Sequence, residues 1–161
     1  MATEIDMAIS EYSADIGIST PLSKTSEVSG SFLYHEDNGH ALDFGIYGSG
    51  RSGKISGKFG VKGYVGEVGN ANGWGIAPGG ALAFNFSERL RVEGDYYYSP
   101  SVLAFADFDN MEEFSTRLLF SPIPNIDFYV GYRDVTVRPN GVKKPYTMAV
   151  ISALASTYNQ R

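Results

Sequence analysis

Lys54-Ile55-Ser56-Gly57-Lys58-Phe59-Gly60-Val61-Lys62-Gly63-Tyr64-Val65 alternates with period two. Lys54, Lys58 and Lys62 fall on one face, and Ile55, Phe59, Val61 and Val65 on the other. A helix, at 3.6 residues per turn, scatters these positions, whereas a strand separates them cleanly. This stretch therefore predicts a β-strand with one charged face and one apolar face.

The same pattern recurs outward from it. Leu90, Val92, Gly94, Tyr96 and Tyr98 oppose Arg91, Glu93, Asp95 and Tyr97. Phe114, Thr116, Leu118 and Phe120 oppose Glu113, Ser115 and Arg117, and Ile126, Phe128, Val130 and Tyr132 oppose Asp127, Tyr129, Gly131 and Arg133. Weaker versions cover residues 5–9, 14–18, 28–34, 42–48 and 74–86, and residues 146–156 are apolar on both faces. The best helical candidate is a short turn in residues 101–108. Compact connections at 21–27, 49–52, 87–89 and 121–125 alternate with more polar ones at 36–39, 67–73, 100–110 and 138–145. Short turns at one end and longer loops at the other mark an outer-membrane barrel. The expected fold is all-β, one closed antiparallel up-and-down β-barrel over residues 1–161. About ten strands fit, with eight if the two short N-terminal segments count as one or lie outside the wall.

Composition narrows the class. The 161 residues suffice for one domain, and 43% hydrophobic residues suffice for a buried core. Gly at 19, with 11 Tyr and 10 Phe, suits a curved sheet with many turns. The net charge of -5 comes without any Lys/Arg run, so nucleic acid is not an expected partner. The absence of Cys excludes disulfides, thiolate metal sites and a cysteine nucleophile. Met1-Ala2-Thr3-Glu4 has no signal-peptide character, so an exported form is expected to have lost its leader. No window reaches the roughly 18 apolar residues of a membrane helix. Crossing a membrane then requires a closed barrel, because lipid leaves open sheet edges unsatisfied.

Which face points inward decides the rest. In a soluble barrel the apolar face is the core and the charges meet water. In a membrane barrel the apolar face meets lipid and the charges meet one another inside. The charged set comprises Asp43, Lys54, Lys58, Lys62, Arg91, Glu93, Asp95, Glu113, Arg117, Asp127 and Arg133, both signs interspersed. Turned inward, it forms ion pairs that fill a narrow lumen and leave it non-conducting. Tyr12, Tyr64, Trp74, Tyr96, Tyr98 and Tyr146 fall near strand ends, where amphipathic rings anchor at the lipid boundary. They favour the membrane reading. The shortness of the first two strands and the thin hydrophobicity at 28–30 and 79–80 oppose it.

Candidate chemical motifs are weak. Gly48-Ser49-Gly50-Arg51-Ser52-Gly53 matches a dinucleotide pattern, but a strand follows it where a helix is needed, so a Gly-rich turn is expected. His35, Glu36, Asp37 and His40 contain metal-binding side chains but read better as a hairpin tip turned by Asn38-Gly39, and no metal is assigned. With both His residues there, a nucleophilic triad lacks support elsewhere, and no enzymatic activity or cofactor is expected. The apolar loop 102–108 is a partner contact or lid, or folds over the barrel mouth as a plug, the plug being favoured. Asn85-Phe86-Ser87 fits a glycosylation sequon in a compact turn and is set aside.

Glu93-Gly94-Asp95-Tyr96-Tyr97-Tyr98-Ser99-Pro100, then residues 101–105 and 110–117, then Asp127-Phe128-Tyr129-Val130-Gly131-Tyr132-Arg133 form a block that resembles the YfaZ-type family of Gram-negative outer-membrane proteins. Leu33-Tyr34-His35-Glu36-Asp37-Asn38-Gly39 resembles its early hairpin. The resemblance implies a small outer-membrane barrel with no catalytic residues to carry over. Many such barrels end on an aromatic residue, where this chain has Arg161. The expected partner is the lipid bilayer, and a monomer is expected. The alternatives are a soluble lipocalin-like barrel for an apolar ligand, and a narrow porin.

Overall fold

The computed structural model describes residues 3–123, 126–141 and 146–158, the last stretch by its backbone alone. Strand follows strand: β1 (Glu4–Ile9), β2 (Ser13–Ser23), β3 (Ser26–His35), β4 (Gly39–Ser52), β5 (Ile55–Val68), β6 (Ala71–Asn85), β7 (Leu90–Ser99), β8 (Ala104–Ala106), β9 (Phe108–Ile123), β10 (Ile126–Pro139) and β11 (Tyr146–Tyr158). Apart from the three-residue β8, these make an antiparallel up-and-down sheet of ten strands. The order runs β5-β4-β3-β2-β1-β11-β10-β9-β7-β6, and β6 pairs with β5 along its length, from Ile55↔Phe84 to Val68↔Ala71. Among the described residues the β1–β11 ladder is the thinnest, with Glu4↔Tyr158 and Ile5↔Thr157 in register.

Alternation dictates what each face carries. Phe59, Val61 and Val65 point outward and are exposed, Phe59 by 73%, while Lys62 between them is only 7% exposed. Phe44 and Ile46, Phe114 and Leu118, and Phe128 and Val130 are likewise exposed, while Asp43, Glu113, Ser115 and Tyr129 beside them are buried.

The strands run longer than the sequence suggests, and three connections shrink: the expected 21–27 reduces to the turn Lys24-Thr25. Residues 49–52 belong to β4, and the turn is Gly53-Lys54, with Gly53 at φ 58°. The polar stretch 67–73 reduces to a turn at Gly69-Asn70, with Gly69 at φ 62°. A residue without Cβ takes this left-handed conformation freely, so two residues reverse the chain where a loop was expected. The connection spanning 100–107 stays long. It holds a 3-10 turn at Ser101–Leu103 and β8, which pairs with β6. Connections 121–125 and 138–145, and the Arg161 end, extend outside the described residues.

Candidate functional site

The inner face has three levels. At the loop end it is apolar: Leu33, Val68, Met111, Val135 and Val137 are each no more than 3–4% exposed and pack around Phe108, which stacks on Tyr64 at 6.2 Å. Phe108 shares even numbering with outward Phe114. A register break between Arg138↔Asn110 and Pro139↔Phe108 turns it inward. Gly73 makes room for it, since a Cβ there would lie 2.4 Å from the Phe108 ring. Asn72 N–H donates to the Asp107 carboxylate (3.1 Å), and Asn140 donates to the Ala106 carbonyl (3.0 Å), fastening the 100–107 connection over this end.

Below the apolar plug lies a belt of ions. Arg133 donates to Glu113 through Nε (3.0 Å) and contacts Asp15 and Asp43, the latter at 3.4 Å. Lys62 donates to the other Glu113 oxygen (2.8 Å) and sits 4.2 Å from the Tyr97 ring centre. Ser31 donates to Asp43 (2.6 Å). Buried charges stay ionised when paired and hydrogen-bonded in this way, at a desolvation cost that offsets much of the attraction.

The next level down is built around Arg117, which donates to Asp6 (2.7 Å) and Glu93 (2.8 Å). Ser115 donates to Asp95, Lys58 pairs with Glu27 (3.0 Å), and Arg91 with Asp127 (3.4 Å). The Tyr129 hydroxyl lies within reach of both Asp6 (2.6 Å) and the Met7 carbonyl (3.2 Å). In β1 the peptide groups of even residues face β2, as the Ser10 N–H to Ser13 bond shows, so Met7 faces β11, where no ladder continues. Tyr129 thus binds β1 where the main chain does not. Tyr129→Phe is expected to speed amide exchange in β1 by roughly one to two orders of magnitude, for about 1–3 kcal/mol of lost hydrogen bonding. Exchange in β5 and β6 is expected to stay unchanged.

From the ion belt down, the lumen is a cup of about 480 Å³ that these pairs themselves line, together with Lys24, Arg51, Ser19, Ser49 and Ser56. Its lining reaches the compact turns, whereas the plug occupies the opposite end.

Ten of the eleven residues expected in the charge network stand on the inner face: Asp43, Lys58, Lys62, Arg91, Glu93, Asp95, Glu113, Arg117, Asp127 and Arg133. Lys54 does not, since it is exposed in the β4–β5 turn, the alternation ending one residue before it reaches the wall. Asp6, Asp15 and Glu27 join the network unforeseen, although Asp6 between Ile5 and Met7 carried the same signal. Tyr12, Trp74, Tyr96 and Tyr98 are exposed near the loop end, with Trp74 stacked on Phe105 at 4.3 Å. Tyr64 corrects the expected anchor set. It has the parity of Lys62 and packs inside the plug, 6% exposed. The Tyr146 side chain lies outside the described residues. Tyr96 and Tyr132 donate to the outward carboxylates Glu112 (3.1 Å) and Asp134 (2.9 Å). The Tyr12 hydroxyl donates to Glu11, which raises the phenol above its ordinary range.

The hairpin histidines do not converge. His35 lies on the face of Leu33 and accepts the Asp37 N–H (3.3 Å), while His40 pairs with outward Tyr34. No group of three or more metal-binding side chains gathers among the described residues.

A family model described as YfaZ precursor matches residues 1–150. The outer membrane channel DcaP of Acinetobacter baumannii shares the fold, with a TM-score of 0.55 and 12% identity over 98% of this chain. The chain spans about half, 54%, of that channel. No curated protein matches the sequence.

Proposed function

The chain belongs to the YfaZ precursor family, and from that premise we propose that it is a small, closed outer-membrane β-barrel whose lumen is plugged and does not conduct. One observation carries this reading: the distribution of side chains is that of a soluble barrel turned inside out. Phe44, Phe59, Leu82, Phe128 and Val130 are all more than half exposed, while Lys62 and Glu113 are buried. In water such a band is an aggregation surface, and in a bilayer it is the lipid contact. Every long strand has a partner on both sides, which supports closure. The compact turns at 24–25 and 53–54 support placing that end in the periplasm and the 100–107 connection outside.

The plug and the ion belt support a blocked passage, and so oppose the porin alternative. Reconstituted into planar bilayers, the protein is expected to show no steady conductance steps at moderate voltage. A reproducible open level in every insertion would overturn the non-conducting reading while leaving the lipid-facing one intact.

A further inference from the structure

The cup at the compact-turn end has contents that the plugged-barrel reading does not use. Two of its walls differ in sign. On the β2–β5 side, Lys24 and Arg51 have no ion-pair partner among the described residues, and Arg51 donates only to the Gly53 carbonyl (3.3 Å). The Ser19, Ser49 and Ser56 hydroxyls line the same arc and take part in no side-chain hydrogen bond among the described residues. Free cations next to free hydroxyls are the groups that hold a carboxylate.

The facing wall, from β1, β7 and β9, is acidic. Asp6 and Glu93 share the guanidinium of Arg117, with Arg91 a longer 3.8 Å from Glu93, and Asp95 takes one hydroxyl hydrogen bond, from Ser115, with no cation in contact among the described residues. A lone anion entering the cup meets this wall, and a lone cation first meets Lys24 and Arg51. A molecule carrying both signs satisfies both. The volume, about 480 Å³, lies within the range of small-molecule sites. The floor is the Lys62–Glu113–Arg133 belt with the plug behind it, so a guest enters and leaves by one opening.

We propose that the cup binds a small zwitterion such as a short peptide, its carboxylate held by Lys24 and Arg51 and its ammonium by the wall of Asp6, Glu93 and Asp95. The site serves retention rather than passage. It depends on the lumen alone, so it stands apart from the bilayer reading.

Titration calorimetry of the full chain, refolded in an uncharged detergent at low salt, tests this with trialanine, succinate and putrescine. Trialanine is expected to saturate one site with a Kd of about 1 mM or tighter. Succinate and putrescine are expected to bind at least about tenfold more weakly. The pair K24Q and R51Q is expected to weaken trialanine about tenfold, because charge-assisted hydrogen bonds are lost from an exposed rim. Ser49→Trp, which fills the mouth, is expected to abolish binding. The urea midpoint reports whether that variant folds, and the rim pair decides if it does not. No trialanine binding, succinate binding as tight as trialanine, or an unaltered Kd in the rim pair would each overturn the proposal.

Discussion

Arg133→Met is expected to destabilise the protein by about 3–5 kcal/mol, more than any other single substitution in the charge belt. Arg133 touches Asp15, Asp43 and Glu113, which come from three different strands. With the guanidinium gone, Lys62 is the one cation left in reach of Asp43 and Glu113 among the described residues, and Asp15 keeps none of them. Uncompensated carboxylates in a closed interior are the costly outcome, since removing one partner leaves the other's desolvation unopposed. Urea unfolding in micelles measures the loss. Adding Glu113→Gln to Arg133→Met is expected to restore part of it, because one orphaned charge disappears. Lys54→Met, in the exposed turn, is expected to stay within about 0.5 kcal/mol of the parent. An Arg133→Met loss below about 1 kcal/mol would mean that water fills the belt and the ions are solvated individually.

The second large effect concerns the outer face. Val130→Arg is expected to cost about 2–4 kcal/mol when folding is measured in lipid vesicles, because under the proposed lipid-facing reading a guanidinium in the outward apolar band would be pressed into hydrocarbon. Val130 is 51% exposed and is flanked by outward Phe128, Tyr132 and Leu118. The same charge at Val102, 77% exposed in the 100–107 connection, is expected to change stability by no more than about 0.5 kcal/mol. The sign discriminates between environments. On a barrel surrounded by water, Val130→Arg would improve solubility and leave stability nearly unchanged. A gain in detergent-free solubility without loss of stability would therefore remove the lipid-facing reading.

Period-two alternation made much of the wall legible. It separated Lys62 from Val61 and Arg133 from Tyr132, because a strand's geometry leaves each side chain only two directions. Position near a strand end is the weaker guide: it makes Tyr64 an anchor, whereas parity puts it on the side of Lys62, where it packs. Parity in turn fails at Lys54, where a glycine turn cuts the strand short. The apolar plug was hidden for a different reason. Near the loop end the pattern inverts: Val68, Val135 and Val137 face inward beside polar Glu67, Asp134, Thr136 and Arg138, and Leu33 lies between apolar Phe32 and Tyr34, so the charged-inside rule does not find them. Asp6 is hard to find because a six-residue strand offers few repeats to count.

The wiring of the interior also sets a timetable. Arg133 meets Asp15 across 118 positions of sequence, and Tyr129 meets Asp6 across 123. Closing loops of that length is the slow, late part of folding. Until the last hairpin arrives, the carboxylates of the first one have no guanidinium to neutralise them, and hydrocarbon rejects them. If the outer face meets lipid as proposed, entry into the bilayer requires both ends of the chain, and a fragment halted before Arg117 would be held at the water's edge by its own acids.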